Sequence, residues 1–160
     1  MDPTIIRMKE DLLLRRLSKH TIYNYVGVAK NFAEFCQMPL VDAGPEEIRG
    51  FILNRVVERK ASASTHKRLI AALKFLYGQT LNSPEKVDWI PWPKVPFRRQ
   101  RILTTEEISL LIQFAGDPRY RIVFMVAYAT GLRVSELASL QTQDIDRQAQ
   151  VIHIRNQKGG

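Results

Sequence analysis

One cysteine, Cys36, is the whole thiol inventory of this 160-residue sequence. No internal disulfide and no multi-cysteine metal site can form, which fits a reducing compartment and leaves Cys36 the plain role of filling core. Long hydrophobic runs are missing as well. A stretch such as Ile122–Tyr128 falls far short of the roughly 20 residues that cross a bilayer, so no membrane span is expected. Near the start, Arg7, Lys9, Glu10 and Asp11 interrupt any apolar segment and no small-residue cleavage site follows. A signal peptide is therefore not expected, and the cytoplasm is the expected location. Histidine is scarce too: His20, His66 and His153 are scattered and form no metal-ligand spacing. What remains is ordinary globular material, 45% hydrophobic and 25% charged, enough for a packed core in one domain of about 100–150 residues or in two small ones.

Acidic residues are outnumbered, 16 against 24 Lys and Arg. The excess is uneven. Residues 1–100 hold 17 basic and 10 acidic side chains, whereas residues 101–160 hold 7 and 6. Basic clusters stand at Arg55, Arg59, Lys60, Lys67 and Arg68, and again at Lys94, Arg98, Arg99 and Arg101. Such a field attracts a polyanion, most commonly nucleic acid, although a merely solvated basic surface would have the same composition.

Helical periodicity organises the first part. Asp2-Pro3 is a helix start, continued by Ile5, Met8, Leu12 and Leu13. Ser18 is a plausible cap for a second helix in which Ile22, Tyr25, Ala29, Phe32 and Cys36 share one face. Gly44-Pro45-Glu46-Glu47 opens a third, with Ile48, Phe51, Ile52 and Val56 inward. Lys60–Ser64 reads as a polar turn, and from Ser64 a fourth helix follows with Leu69, Leu73, Leu76 and Tyr77 inward. Short connections imply a four-helix bundle. Pro84, Pro91, Pro93 and Pro96 then predict an extended, non-helical linker over 82–101, whose Trp89 and Trp92 either pack against a neighbouring domain or stack on bases. Beyond it, Thr104-Thr105-Glu106-Glu107 is a capping box followed by Ile108, Leu111, Ile112 and Ala115 facing inward. Asp117-Pro118 starts a helix through Ile122, Met125, Val126 and Ala129 to Gly131, and a short helix with Val134, Leu137 and Leu140 comes next. Asp144-Ile145-Asp146 is expected to turn the chain, and Val151–Arg155 to form a strand with no returning partner.

The densest pattern is Ala127-Tyr128-Ala129-Thr130-Gly131-Leu132-Arg133-Val134-Ser135-Glu136-Leu137, with Lys158-Gly159-Gly160 downstream. An arginine just past a glycine-terminated helix could use its guanidinium and the amide dipoles of the next helix to hold an anion; taken alone it is as readily a surface residue. Here the sequence resembles the tyrosine recombinase family of phage integrases and Xer-like recombinases. The likeness covers essentially the whole chain, with Leu17-Ser18, Thr21, Tyr25, Phe32 and the basic Ser64–Tyr77 helix resembling the family's core-binding domain.

That resemblance implies a mainly α protein: a four-helix, SAM-like core-binding domain over 1–81, a basic proline-rich linker over 82–101, and the start of a mixed α+β catalytic domain over 102–160. It implies that Arg133 grips a scissile phosphate, that Glu136 supports the site, and that Lys158 protonates the leaving 5′ hydroxyl. Lys60, Ser64, His66, Lys67, Arg68, Lys74, Arg98, Arg99 and Arg101 are the implied DNA contacts. The implied partner is double-stranded DNA, with other recombinase protomers assembling on it. Neither metal nor other cofactor is implied. The family's tyrosine nucleophile belongs after the lysine, so Tyr23, Tyr25, Tyr77, Tyr120 and Tyr128 are expected to be packing residues, and the fragment is expected to be inactive by itself. The competing expectations are a truncated, catalytically inactive DNA-binding protein that occupies recombination sites, and a helical module whose basic surface binds an acidic protein.

Overall fold

The computed structural model describes residues 2–94 and 100–154. Arg98, Arg99 and Lys158 lie outside the described residues. The chain divides into two compact units, Met1–Arg98 and Arg99–Gly160, and no described helix is long and apolar enough to cross a membrane.

Four helices build the first unit: α1 (Pro3–Leu14), α2 (Lys19–Cys36), α3 (Pro45–Leu53) and α4 (Ala63–Phe75). Each start has a local cause. The Asp2 carboxylate accepts the Thr4 amide at 2.8 Å, Ser18 Oγ accepts the Thr21 amide at 3.2 Å, and the Glu47 carboxylate reaches back to the Gly44 amide at 2.8 Å, satisfying amides that have no partner inside the helix. The cap of α4 is Ser62 rather than Ser64, because its hydroxyl accepts the Thr65 amide at 3.2 Å. Two helices run on into π-helical turns, Asn54–Glu58 after α3 and Leu76–Thr80 after α4.

Met8, Leu12, Phe32, Leu40, Ile48, Phe51, Ile70, Leu73, Leu76 and Tyr77 form the enclosed core. Phe32 lies between Phe51, with ring centroids 5.0 Å apart, and Tyr77, 6.3 Å away. The loop before α3 is anchored by both of its polar groups at Leu40. Its amide donates to Asp2 Oδ2 at 3.1 Å and its carbonyl accepts from the Tyr77 hydroxyl at 2.9 Å. Leu13 points to solvent, since Ile5, Met8 and Leu12 already define the buried stripe of α1. Cys36 is half-buried, and burial followed by the nearby Glu47 charge pushes its thiol up to about 11.

The segment after α4 is not wholly extended. Pro84–Lys86 makes one 3₁₀ turn, which proline tolerates at its first position, and Val87 and Ile90 enter the core of the first unit. Lys86 Nζ donates to the Val41 and Ala43 carbonyls at 2.8 and 3.0 Å. Trp89 and Trp92 are partly exposed, Trp89 lining a cleft with Ile52 and Ile70 and Trp92 lying beside Lys74, while Val87 and Ile90 are the fully buried side chains of the segment.

The second unit holds α5 (Thr105–Phe114), α6 (Pro118–Thr130) and α7 (Val134–Ser139), followed by β1 (Ile145–Asp146) and β2 (Val151–Ile152). The α5 capping box forms, with Thr104 Oγ1 accepting the Glu107 amide and Glu107 accepting the Thr104 amide at 3.0 Å. Several side chains expected inside are exposed: Leu111, Ile122, Met125, Ala129 and Val134. The reason is geometric. From Ile122 to Ala129 helix α6 is apolar on every side, the pattern of an enclosed helix, but among the described residues its main packing partners are the short helices α5 and α7.

The strand expectation is also corrected. Ile145–Asp146 is itself a strand, antiparallel to Val151–Ile152 with Ile145 opposite Ile152 and Asp146 opposite Val151. The turn lies between them, where Asp146 Oδ1 accepts the amides of Gln148 and Ala149, both at 2.9 Å.

Candidate active site

The junction of α6 and α7 is built from short-range chemistry. At Gly131 the backbone turns left-handed, φ +66°, and its amide closes on the Ala127 carbonyl at 2.9 Å, a conformation that costs glycine little. The Thr130 hydroxyl donates to the Val126 carbonyl at 2.6 Å and accepts the Leu132 amide at 3.3 Å. Glycine reverses the chain and threonine ties the reversal to the helix it leaves. Arg133 consequently arrives as the residue capping α7.

Glu136 then fixes Arg133 twice. One carboxylate oxygen accepts the Arg133 backbone amide at 2.8 Å and the other accepts its Nη1 at 2.7 Å. The carboxylate is only 8% exposed while the arginine side chain is 65% exposed, so the anchor is inside and the guanidinium faces outward. The Arg133 amide, and then its guanidinium, hold the Glu136 carboxyl below the usual carboxylate range, against the opposing effect of burial. The bridge takes one of the five guanidinium donors, and the rest of the planar fork can meet an anionic oxygen.

The other site residues fall into separate groups. Ser64, Lys67 and Arg68 are exposed on the first turns of α4, and Lys60 precedes them with a left-handed φ of +47°. His66 and Lys74, also on α4, are half-buried. His66 shares a cleft with Arg49 and Trp89, and the Lys74 ammonium stands 5.8 Å from the Trp92 ring centre. Burial pushes the His66 imidazole below its ordinary value, so it adds little charge at neutral pH. Arg101 is paired with Glu107, the capping residue of α5. Arg98, Arg99 and Lys158 cannot be placed among these groups, since they lie outside the described residues.

The packing role expected of all five tyrosines is corrected for three. Tyr77 is enclosed and Tyr25 meets Phe75 edge-on at 6.0 Å, but Tyr23, Tyr120 and Tyr128 are exposed. Sequence reasoning counted Arg55 and Arg59 as charge without giving them a place, although their i, i+4 spacing at a helix end was a usable signal. It also passed over Thr130, whose hydroxyl ties the loop that presents Arg133.

Comparison with known proteins adds independent findings. The family model described as "Phage integrase, N-terminal SAM-like domain" matches residues 5–86, and that described as "Phage integrase family" matches residues 101–160. A putative integrase/recombinase of Sinorhizobium fredii is 32% identical over 99% of this chain and 52% of its own length. The tyrosine recombinase XerD of Yersinia pestis is 25% identical over 96% of this chain and 55% of its own. Among solved structures, that of XerA recombinase aligns with a TM-score of 0.50 and 27% identity, over 96% of this chain and 55% of that one. The chain spans about half the length of the curated relatives it matches.

Proposed function

The chain belongs to the phage integrase family of tyrosine recombinases, and from that premise we propose that it grips duplex DNA with its basic first unit and supplies Arg133 to the phosphate at which a strand is cut and rejoined. The observation that carries this reading is the Arg133–Glu136 pair: a buried carboxylate holding an outward-facing guanidinium at a helix start. A phosphodiester under attack gathers negative charge on its non-bridging oxygens, and a donor fixed in advance is worth most at that moment.

In this reading a tyrosine oxygen attacks phosphorus, a 3′-phosphotyrosine bond forms, and the bond to the 5′ oxygen breaks. That oxygen takes a proton, for which Lys158 is the assigned donor. Reversal of the step by another strand's 5′ hydroxyl completes the rejoining, with further protomers assembled on the DNA. Apart from Lys158, the residues of this chain bind, orient and stabilise. Glu136 moves no proton, because its lowered pKa keeps it ionised as the anchor of Arg133.

The basic excess of residues 1–100 supports the gripping role, since lysine and arginine that displace counterions from phosphates give sequence-independent affinity. The test is an anisotropy titration of the chain against a labelled duplex over a range of salt concentrations. The expected result is a straight, steep fall of log affinity with log salt. A flat plot would contradict the reading.

A further inference from the structure

The end of α3, the start of α4 and the middle of α2 enclose a pocket of about 290 Å³ in which Arg55, Arg59 and Arg68 meet the neutral donors Asn31 and Thr65. Its architecture is specific. The chain is π-helical over Asn54–Glu58, a wide turn often found at functional sites, and this turn carries Arg55 and Arg59. Burial, and then the Arg59 charge, press Arg55 below the ordinary arginine value, with Glu34 opposing them. The Arg55 guanidinium sits 5.3 Å from the Phe51 ring centre, and Arg68 is steadied by Thr65 Oγ1 at 3.4 Å.

Among the described residues no carboxylate stands within ion-pair distance of any of the three arginines. Gathering like charges round a pocket raises their energy, and a bound anion reverses that. Planar guanidinium forks match the paired oxygens of phosphate and of carboxylate, and of the two a duplex supplies phosphate. The basic lining also continues outward. A neighbouring groove of about 870 Å³ shares Asn31, Thr65 and Arg68 with the pocket, adds Lys9, Lys19 and Lys30, and has no acidic lining residue. A chain of phosphates needs such an extension; a free phosphate does not.

We propose that this pocket holds one backbone phosphate of duplex DNA, clamped jointly by Arg55, Arg59 and Arg68. The inference rests on the DNA-binding reading above and adds a place and a stoichiometry to it: three arginines, one phosphate. Because each neutralised phosphate contributes about 0.9 to the slope of log affinity against log salt, the shared clamp makes a distinctive prediction. Removing two of its arginines lowers the slope by no more than about one unit, whereas two separately held phosphates would lower it by about two.

The experiment compares the chain with its Arg55→Gln/Arg59→Gln double variant and with Arg59→Gln alone. Arg59→Gln guards against a folding defect, since Arg59 is exposed and has no ring contact; its urea midpoint is expected to equal that of the parent. The double variant is expected to bind a duplex at least about tenfold more weakly, with the slope lowered by no more than about one; a loss of about two would overturn the shared clamp. If the parent binds and the double variant keeps both slope and affinity, the pocket proposal is overturned while the DNA reading stands. A parent that fails to bind overturns both. Inorganic phosphate provides the arm that separates sources: a thermal shift by millimolar phosphate in the parent alone, with duplex binding unchanged in the double variant, would assign the pocket to a free phosphate and overturn the DNA clamp.

Discussion

Changing Tyr77 to Phe removes a single oxygen from the centre of the first unit and leaves the ring in place. Tyr77 is fully enclosed and its hydroxyl donates to the Leu40 carbonyl at 2.9 Å. Without the hydroxyl, that carbonyl loses its partner in a setting where Leu40 itself is fully enclosed. Leaving one buried neutral acceptor unpaired costs about 1–3 kcal/mol. The ring contacts to Phe32 persist, so the larger loss of about 3–5 kcal/mol expected for Tyr77→Ala does not apply. The Leu40 amide stays bonded to Asp2, which keeps the loop in place and prevents the carbonyl from simply turning to water. Both tryptophans, Trp89 and Trp92, belong to the first unit, so their fluorescence during urea unfolding reports that unit. With a slope of about 2 kcal/mol per molar urea, the midpoint should fall by roughly 1 M with the slope unchanged. A Tyr77→Phe protein with the parent midpoint would refute the reasoning, because it would mean that the Leu40 carbonyl is not desolvated by the fold.

Gly131→Ala meets no neighbouring atom but must keep φ at +66°, so the cost is backbone strain of about 1–2 kcal/mol. Faster hydrogen exchange at the Leu132 and Arg133 amides is the expected outcome, and unchanged exchange would count against the left-handed cap. For Asp2, burial raises the carboxyl pKa but the Leu40 and Thr4 hydrogen bonds outweigh it, and the net shift is downward. A depressed carboxyl stabilises the fold above its unfolded pKa of about 3.9, and that stability is lost as pH falls through the folded value. Asp2→Asn should therefore be less stable than the parent at pH 7, with the gap closing in acid; a gap independent of pH would show that the charge is not what matters.

Capping chemistry made much of the fold legible in advance. Asp2-Pro3, Ser18, Glu47, Thr104 with Glu107, and Gly131 all act at short range, where a side chain and an amide two or three residues away settle the outcome. The resemblance pointed to Glu136 as a supporting residue, but its two bonds to Arg133, at the guanidinium and at the backbone amide, became visible only in the structure. Burial in the second unit was less readable, because periodicity tells which residues of α5 and α6 share a face but not whether anything covers it. Pairing of Ile145–Asp146 with Val151–Ile152 escaped for a related reason: two-residue strands carry too few side chains to show alternation. The π-helical turn at Asn54–Glu58 has no periodicity signal of its own, and with it the meeting of Arg55, Arg59 and Arg68 stayed hidden.

The proposed role of Arg133 at the scissile phosphate has a direct test. In the protein extended through the portion its relatives carry and this chain does not span, a nicked duplex that traps the covalent intermediate can be incubated with the parent, Arg133→Lys and Arg133→Ala. Lysine keeps the charge but loses the fork, so both variants should bind the duplex nearly as the parent does while forming the protein–DNA adduct roughly 10²–10³ times more slowly. A variant that forms the adduct at the parent rate, or a parent that forms none, would contradict the central claim.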